Sequence, residues 1–145
     1  MGSRCQDDLL QGCRVLVVED DFLIADDFTR RLSLCGARVL GPAATLESAL
    51  ALYRQQPAPH VAVLDINLRG TPVFPLAELL QRDGIPFVFC TGYGDDPMAG
   101  CFKSVARFEK PLSQQGFADM LGELAQLHRQ RAAHAAPEAP TDSPM

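Results

Sequence analysis

A short apolar run that ends directly in three acidic residues limits the possible folds more than any other stretch of the chain. Residues 15–18 are Val, Leu, Val and Val, and Glu19, Asp20 and Asp21 follow without a spacer. A continuous apolar run of this length predicts a strand buried on both faces of a parallel sheet. Three adjacent carboxylates repel one another unless solvent or a cation offsets their charge. Asp20 or Asp21 could also simply cap the following helix, so this stretch alone leaves a cap and a cation site open.

The overall composition favours one globular domain and excludes several classes of function. The chain has 145 residues, of which 47% are hydrophobic, enough for one ordinary core. No apolar run is long enough to span a membrane, and the first twelve residues lack the apolar segment of a signal peptide, so we expect a cytoplasmic protein without membrane contact. The formal net charge is −5 with no basic stripe, which argues against direct binding of nucleic acid.

The cysteines and histidines do not have the spacing of a disulfide framework or a zinc site. The five cysteines are an odd number without paired spacing: Cys5, Cys13, Cys35, Cys90 and Cys101. We expect those near the predicted strands and helices to be small buried residues with reduced thiols. His60, His128 and His134 also lack the spacing of metal ligands.

Apolar patterning predicts five strands that alternate with helical segments. The strands are expected at residues 13–18, 37–40, 60–64, 85–90 and 104–108. Helices are expected at 21–35, after a cap at Thr45, after Pro75, and after a cap at Ser113. This alternation predicts an α/β fold with one parallel sheet that is covered by helices on both faces.

The predicted domain occupies residues 12–134. Residues 1–11 are polar and are expected to be a flexible N-terminal segment, while the Ala- and Pro-rich residues 135–145 are expected to be a disordered tail. Residues 91–100 contain three glycines, a proline and two aspartates. That composition predicts a shortened or irregular fourth helix.

Chemically capable residues stand at the carboxyl ends of four predicted strands. Glu19 and Asp20 follow the first strand, and Asp65, Thr91 and Lys110 follow the third, fourth and fifth. Each has an ordinary explanation as a solvated loop residue, but in an open parallel sheet these strand ends share one rim, where ligands bind. Clustered carboxylates suit Mg²⁺, a strand-end Asp can act as a nucleophile, and a Lys and a Thr can neutralise and hydrogen-bond phosphoryl oxygens.

This set of residues resembles the motif of receiver domains in the response regulators of bacterial two-component signalling, of which CheY is the type. The matching positions are the acidic pair Glu19-Asp20, the acceptor Asp65, Thr91 and the pair Lys110-Pro111. The resemblance covers residues 12–130 and implies a doubly wound five-stranded sheet of strand order 2-1-3-4-5.

The resemblance also implies a chemistry for these residues. Asp65 would take a phosphoryl group from a phosphohistidine on a sensor histidine kinase or a histidine phosphotransfer protein. The cofactor Mg²⁺ would be held by Asp20, Asp65 and the backbone carbonyl of Asn67, with Glu19 acting mainly through water. The bond between Lys110 and Pro111 would be cis.

The sequence departs from the family pattern at the position of its aromatic switch, which lies three residues before the lysine and is Arg107 here. A further departure is that 91 − 65 = 26 positions separate the acceptor from Thr91, fewer than is typical. Residues 89–94 are similar to the Phe-Ala-Thr-Gly-x-Tyr signature of the FATGUY subgroup of single-domain regulators, with Tyr93 one place earlier. We therefore predict Tyr93 as the aromatic switch; the alternative is that it only covers the loop.

The predicted function is a stand-alone phosphoacceptor that switches a protein-binding surface for a downstream protein. That surface is expected to include Phe102, Arg107 and Phe108. The alternatives are a phosphate sink for a kinase and a binding module that works without phosphorylation. An aspartyl-phosphate hydrolase of the haloacid-dehalogenase type is disfavoured because Asn67 replaces the second aspartate, so we expect no enzyme acting on an external substrate. A homodimer through the last helix or fifth strand stays open, although Leu121 and Leu124 are expected in the core.

Overall fold

The computed structural model describes residues 9–55, 57–92, 102 and 104–135. Five strands form one parallel sheet: β1 (Arg14–Val18), β2 (Arg38–Ala43), β3 (Val61–Leu64), β6 (Phe87–Thr91) and β7 (Arg107–Glu109). Two short strands pair as a separate antiparallel hairpin: β4 (Asn67–Leu68) and β5 (Thr71–Pro72). The helices are α1 (Phe22–Leu34), α2 (Leu46–Arg54), α3 (Phe74–Arg82) and α4 (Gln114–Ala135).

The spatial order of the sheet is β2-β1-β3-β6-β7. This is the expected 2-1-3-4-5 order, because the hairpin strands take the numbers β4 and β5. The fold-class prediction is therefore confirmed. The irregular fourth helix was predicted within residues 91–100, of which residues 93–100 lie outside the described residues.

The sheet separates two hydrophobic cores. Leu16 and Val18 of β1 pack with α2 and α3 on one face, and Val15 and Val17 pack with α1 and α4 on the other. All four side chains are buried, as a continuous apolar run predicts for a central parallel strand. The α4 stripe behaves as expected, since Leu121 and Leu124 are buried in the second core.

Of the three adjacent acidic residues, Asp21 has a structural role as a helix cap. Asp21 is the N-cap of α1, and its Oδ1 accepts hydrogen bonds from the backbone N–H groups of Leu23 (2.9 Å) and Ile24 (3.1 Å). This cap satisfies two N–H groups that the helix itself leaves unpaired. Asp20 is therefore not needed as the cap. Thr45 caps α2 as predicted, in a capping box with Ser48.

Three predicted strands had boundaries that were wrong by two or more residues. Strand β2 does not stop before Gly41 but continues to Ala43 across a bulge, which an edge strand tolerates. Strand β6 starts at Phe87 because the N–H of Ile85 bonds to the last turn of α3, and it includes Thr91. Strand β7 starts only at Arg107, because the N–H of Val105 closes a turn onto the carbonyl of Phe102.

Burial also corrects several sequence expectations. The apolar pattern of α1 placed Phe22, and either Leu34 or Cys35, on its buried face; Phe22 and Leu34 are 79% and 66% exposed, whereas Cys35 is buried. Leu10 is fully buried and its N–H bonds to Cys35, so the packed region begins before the predicted boundary at residue 12. Phe102, assigned to a binding surface, is buried among Phe74, Phe87 and Phe89 and is therefore a core residue. Residues 136–145 of the predicted tail lie outside the described residues.

The described cysteines, namely Cys13, Cys35 and Cys90, are all buried. Burial raises the pKa of Cys13 to about 11 and that of Cys90 to about 12, which keeps both thiols protonated. Within the described part of the chain, no helix has the length and apolar character needed to cross a membrane.

Candidate functional site

The parallel register brings the predicted site residues to one rim of the sheet. Beyond the strand ends, the N–H of Asp65 bonds to Val18 (2.8 Å) and the N–H of Lys110 bonds to Thr91 (2.9 Å). These backbone bonds hold the residues that follow β3 and β7 beside the neighbouring strand. A cavity of about 250 Å³ lies at this rim. It is lined by Asp20, Asp65, Asn67, Arg69, Gly70, Gly92 and Lys110.

Lys110 joins two buried carboxylates at the base of this cavity. Its Nζ lies 2.9 and 3.0 Å from the two carboxylate oxygens of Glu19 and 3.1 Å from Oδ2 of Asp65. The Glu19 and Asp65 side chains are only 1% and 3% exposed. An ammonium group has three N–H donors, so these three contacts match its full donor set.

The electrostatics of the cluster raise the pKa of the Asp65 carboxyl into the neutral range. Burial, reinforced by the negative charge of Glu19, raises the pKa of Asp65 to about 7, against the opposing effect of Lys110. Burial also raises the pKa of Glu19 despite its hydrogen bonds from Lys110. Burial alone would lower the pKa of Lys110, but the hydrogen bond to Glu19 and the charge of Asp65 outweigh it and raise that pKa. The cluster thus carries more carboxylates than one lysine can offset.

The carboxylates have the composition and spacing of a divalent cation site. Glu19, Asp20 and Asp65 each offer an oxygen, and these atoms all lie within 4.8 Å of one another. Mg²⁺ prefers such hard oxygen ligands and keeps several waters. Because Glu19 is taken up by Lys110 and Asp20 lines the cavity, Asp20 and Asp65 are the better placed pair to ligate an ion directly.

The hairpin after β3 directs the backbone carbonyl of Asn67 toward the Asp65 carboxylate. The N–H of Val73 donates to the carbonyl of Ile66 (2.9 Å), so these two residues form a hydrogen-bonded pair. Bonded and non-bonded pairs alternate, so the N–H and C=O of Asn67, opposite Pro72, point away from β5. The Asn67 N–H donates to Oδ1 of Asp65 (3.2 Å), and its carbonyl lies on that same side. Asn67 thus fits the ligand role that the resemblance implied.

The remaining predicted residues take different positions. Thr91 is 7% exposed, and its hydroxyl donates to the carbonyl of Gly92 (3.1 Å) rather than lining the cavity. The bond between Lys110 and Pro111 is cis, and so is that between Gly41 and Pro42. Tyr93 lies outside the described residues. Arg107, at the switch position, places its guanidinium carbon 5.9 Å from the ring centroid of Phe89.

Sequence reasoning missed Arg69, which lies at the tip of the hairpin and lines the cavity. Its backbone φ is +54°, a conformation that residues other than glycine rarely adopt. The one signal in the sequence is Arg-Gly between two short apolar or β-branched stretches, which is a weak sign of a two-residue hairpin turn.

A second cluster of possible ligand atoms lies outside this rim. Cys13, His60 and His128 each offer a ligand atom within 4.8 Å of the others, although their sequence spacing shows no motif. His60 accepts the N–H of Arg14 at Nδ1 (2.9 Å), which leaves the proton of the neutral ring on Nε2. A ligating histidine normally donates its second N–H instead of accepting one. Burial lowers the pKa of His60, and the positive charges of Arg14 and Arg131, which lower it further, also repel a cation. These features oppose a resident cation there.

Comparison with known proteins finds similar chains among the solved structures. No protein-family model matches the chain, and no curated protein matches it. Among solved structures, the BeF₃-activated conformation of SdrG from Pseudomonas melonis Fr1 is 36% identical, with a TM-score of 0.64, and the match covers 77% of this chain and 95% of SdrG. SdrG from Sphingomonas melonis Fr1 is 35% identical, with a TM-score of 0.67 and coverage of 79% and 95%.

The non-phosphorylated HemR receiver domain from Leptospira biflexa is 30% identical, with a TM-score of 0.65. That match covers 78% of this chain and 94% of the HemR domain. The similarity therefore extends over nearly the whole of each of these proteins, and the sheet order and acidic rim agree with it. The chain belongs to the receiver domains of response regulators, the signalling proteins of two-component systems.

Proposed function

We propose that this chain is a phosphoacceptor response regulator in which Asp65 receives a phosphoryl group from a phosphohistidine donor. The observation that carries the proposal is the contact between Asp65 Oδ2 and Lys110 Nζ (3.1 Å) at the base of an open cavity. The donor would be a sensor histidine kinase or a histidine phosphotransfer protein. We assign no reaction on any other substrate.

The transfer is a displacement at phosphorus. An ionised oxygen of Asp65 forms the new O–P bond while the P–N bond to the donor imidazole breaks, and the imidazole keeps that electron pair and later takes a proton from solvent. Lys110 neutralises phosphoryl oxygens, and the Asn67 N–H positions the Asp65 carboxylate. The thiols of Cys13 and Cys90 stay protonated and buried and take no part.

Asp20, Asp65 and the Asn67 carbonyl would hold Mg²⁺. Glu19 would stay hydrogen-bonded to Lys110. A bound Mg²⁺ would neutralise charge on the transferring group. Lys110 remains anchored through Glu19 and can therefore stay in place while Asp65 is modified. Loss of the phosphoryl group requires attack by water on phosphorus, which returns Asp65 and inorganic phosphate.

For the output, we propose a switched protein-binding surface, with a phosphate sink as the second candidate. SdrG from Pseudomonas melonis Fr1 has a BeF₃-activated conformation, which supports a phosphoryl-driven change in a similar protein. Because Phe102 is buried, the surface would be built instead around the half-exposed side chains of Arg107 and Phe108. Membership of the FATGUY subgroup, with Tyr93 as the aromatic switch, remains part of this proposal.

Beryllium fluoride with Mg²⁺ tests the acceptor without a protein donor. We expect the NMR amide signals of Asp65 and Asn67 to shift in the natural sequence and not in Asp65→Asn. Asp119→Asn, which removes the same charge from the exposed side of α4, should respond like the natural sequence. An equal response in Asp65→Asn would contradict the assignment of the acceptor.

The same spectra distinguish the two outputs. A switch predicts additional shifts at Arg107 and Phe108, on the next-but-one strand from Asp65, whereas a sink predicts shifts confined to the rim. Tyr93→Ala should remove the shifts at Arg107 and Phe108 while it leaves those at Asp65 unchanged. Shifts at Arg107 and Phe108 that persist in Tyr93→Ala would refute Tyr93 as the switch.

A further inference from the structure

Arg69 is held at the cavity by a strained two-residue turn. Arg69 and Gly70 connect β4 to β5 with φ angles of +54° and +91°, the combination of a type I′ hairpin turn. Glycine adopts such a φ without cost, but arginine does not. An arginine kept in this conformation beside a functional cavity is a candidate for a role in that cavity.

The hairpin ties this turn to the acceptor. The Asn67 side-chain oxygen accepts the N–H of Gly70 (2.6 Å), which closes the turn, while the Asn67 N–H donates to Asp65 (3.2 Å). Asn67 therefore connects the base of the cavity to the hairpin tip. The backbone of Arg69 is fixed relative to Asp65, although its side chain is 76% exposed.

The guanidinium of Arg69 is directed to Asp20. Its Nη2 donates to the backbone carbonyl of Asp20 (3.3 Å), and its Nε lies 3.9 Å from Oδ2 of the same residue. The two residues are 49 positions apart, so the contact depends on the fold rather than on local chain geometry. The Asp20 side chain is 19% exposed and has one face on the cavity.

We infer that Arg69 is a built-in competitor of the divalent cation: it pairs with Asp20 and must give up that carboxylate when the cation binds. The inference rests on the metal site of the proposed function. A cation that ligates Asp20 places two positive charges where the guanidinium now neutralises one carboxylate. Arg69 and the cation therefore oppose each other for the same oxygen atoms, and Arg69 sets the cation affinity.

The size of the effect follows from the exposure of the pair. The pair is exposed on the Arg69 side and its atoms lie 3.9 Å apart, so it stabilises only weakly, and the guanidinium also repels the bound ion at short range. Together these effects predict that removing the charge of Arg69 tightens Mg²⁺ binding about threefold to tenfold. The difference should shrink in 1 M monovalent salt, since screening then acts over about 3 Å.

The test is a titration with Mg²⁺ alone, followed by NMR amide shifts in the full chain without a phosphodonor. Arg69→Gln should lower the Mg²⁺ Kd about threefold to tenfold, whereas Arg69→Lys, which keeps the charge, should stay within about twofold of the natural sequence. Arg82→Gln is the matched control, because Arg82 is similarly exposed (69%) and pairs with Asp83 at the end of α3. Thermal unfolding without metal checks that all variants are folded.

Three outcomes would overturn the inference. If Arg69→Gln binds Mg²⁺ no more tightly than Arg82→Gln does, the effect is one of net charge and Arg69 does not compete. If Arg69→Gln binds more weakly than the natural sequence, Arg69 supports the cation instead of opposing it. In both cases saturable binding by the natural sequence would still support the metal site. If the natural sequence shows no saturable Mg²⁺ binding, the metal site fails and the inference fails with it.

Discussion

Both carboxylate oxygens of Glu19 accept hydrogen bonds from Nζ of Lys110, at 2.9 and 3.0 Å, although the residues are 91 positions apart. Glu19 follows the interior strand β1 and Lys110 follows the edge strand β7, so the pair spans the rim above β3 and β6. Glu19 is fully enclosed, and it holds the ammonium group against Asp65. The lysine is thereby fixed before any ligand arrives.

The first prediction concerns the removal of this lysine. Lys110→Met leaves Glu19 and Asp65 buried without a cation, so we expect the free energy of unfolding at pH 8 without metal to fall by about 3–5 kcal/mol. Urea unfolding measures the change. The double variant Glu19→Gln/Lys110→Met should recover part of the loss, because it removes one of the two buried carboxylates that have lost their counter-charge. A loss below about 1 kcal/mol in Lys110→Met would show that the buried pair is not held as described.

The second prediction separates the roles of the adjacent aspartates. Asp21→Ala removes the cap of α1 and should lower the free energy of unfolding by about 1 kcal/mol, with little effect on Mg²⁺ binding. Asp20→Ala should show the reverse, a loss of Mg²⁺ binding with little loss of stability. Asp26→Ala, on the exposed part of α1, controls for charge. Equal losses of stability in Asp20→Ala and Asp21→Ala would contradict this division.

The third prediction is a pH dependence from the histidine pair. Burial, together with the charges of Arg14, His128 and Arg131, lowers the pKa of His60, and burial also lowers that of His128. The folded state therefore favours neutral rings. Their stabilisation is complete above the ordinary pKa of about 6.5 and is lost as the pH falls through that value toward the lower folded pKa.

His60→Asn tests this pH dependence directly. Asparagine does not titrate, and its side-chain oxygen can replace Nδ1 as the acceptor for the Arg14 N–H. We expect the urea midpoint of the natural sequence to fall more between pH 7.5 and 5.5 than that of the variant. Parallel pH profiles for the two proteins would exclude His60 as a source of the dependence.

The fourth prediction concerns the buried phenylalanine cluster. Phe102 stacks on Phe74 (5.5 Å between ring centroids) and meets Phe89 edge to face (5.8 Å). Phe102→Ala should therefore cost about 3–5 kcal/mol of unfolding free energy. Phe22→Ala, at a side chain that is 79% exposed, should cost less than about 1 kcal/mol. Similar costs for the two variants would contradict the burial of Phe102 and would support the surface position that the sequence predicted.

The parts of the fold that the sequence predicted depend on local rules. The apolar run of β1 requires burial on both faces, and parallel strands bring their carboxyl ends together, so Asp20, Asp65 and Lys110 could be assigned to one rim in advance. Thr45 and Ser113 were predictable as caps because a side-chain oxygen before an apolar stripe satisfies the first N–H groups of a helix.

The parts that the sequence did not predict depend on long-range contacts or unusual backbone. The start of β6 is set by the bond from Ile85 to Leu80, which no propensity reveals. Arg69 reaches the site only through a turn with a positive φ that its side chain disfavours. The cluster of Cys13, His60 and His128 is built from three separate elements, so spacing along the chain carries no sign of it.

Phosphorylation of Asp65 can be measured by intact-protein mass spectrometry after incubation with acetyl phosphate, with and without Mg²⁺. We predict a Mg²⁺-dependent gain of one phosphoryl group in the natural sequence and in Asp119→Asn, and no gain in Asp65→Asn. Persistent absence of that gain, also with a phosphorylated kinase as donor, would contradict the proposed phosphoacceptor. A binding module that works without phosphorylation would then be the better description.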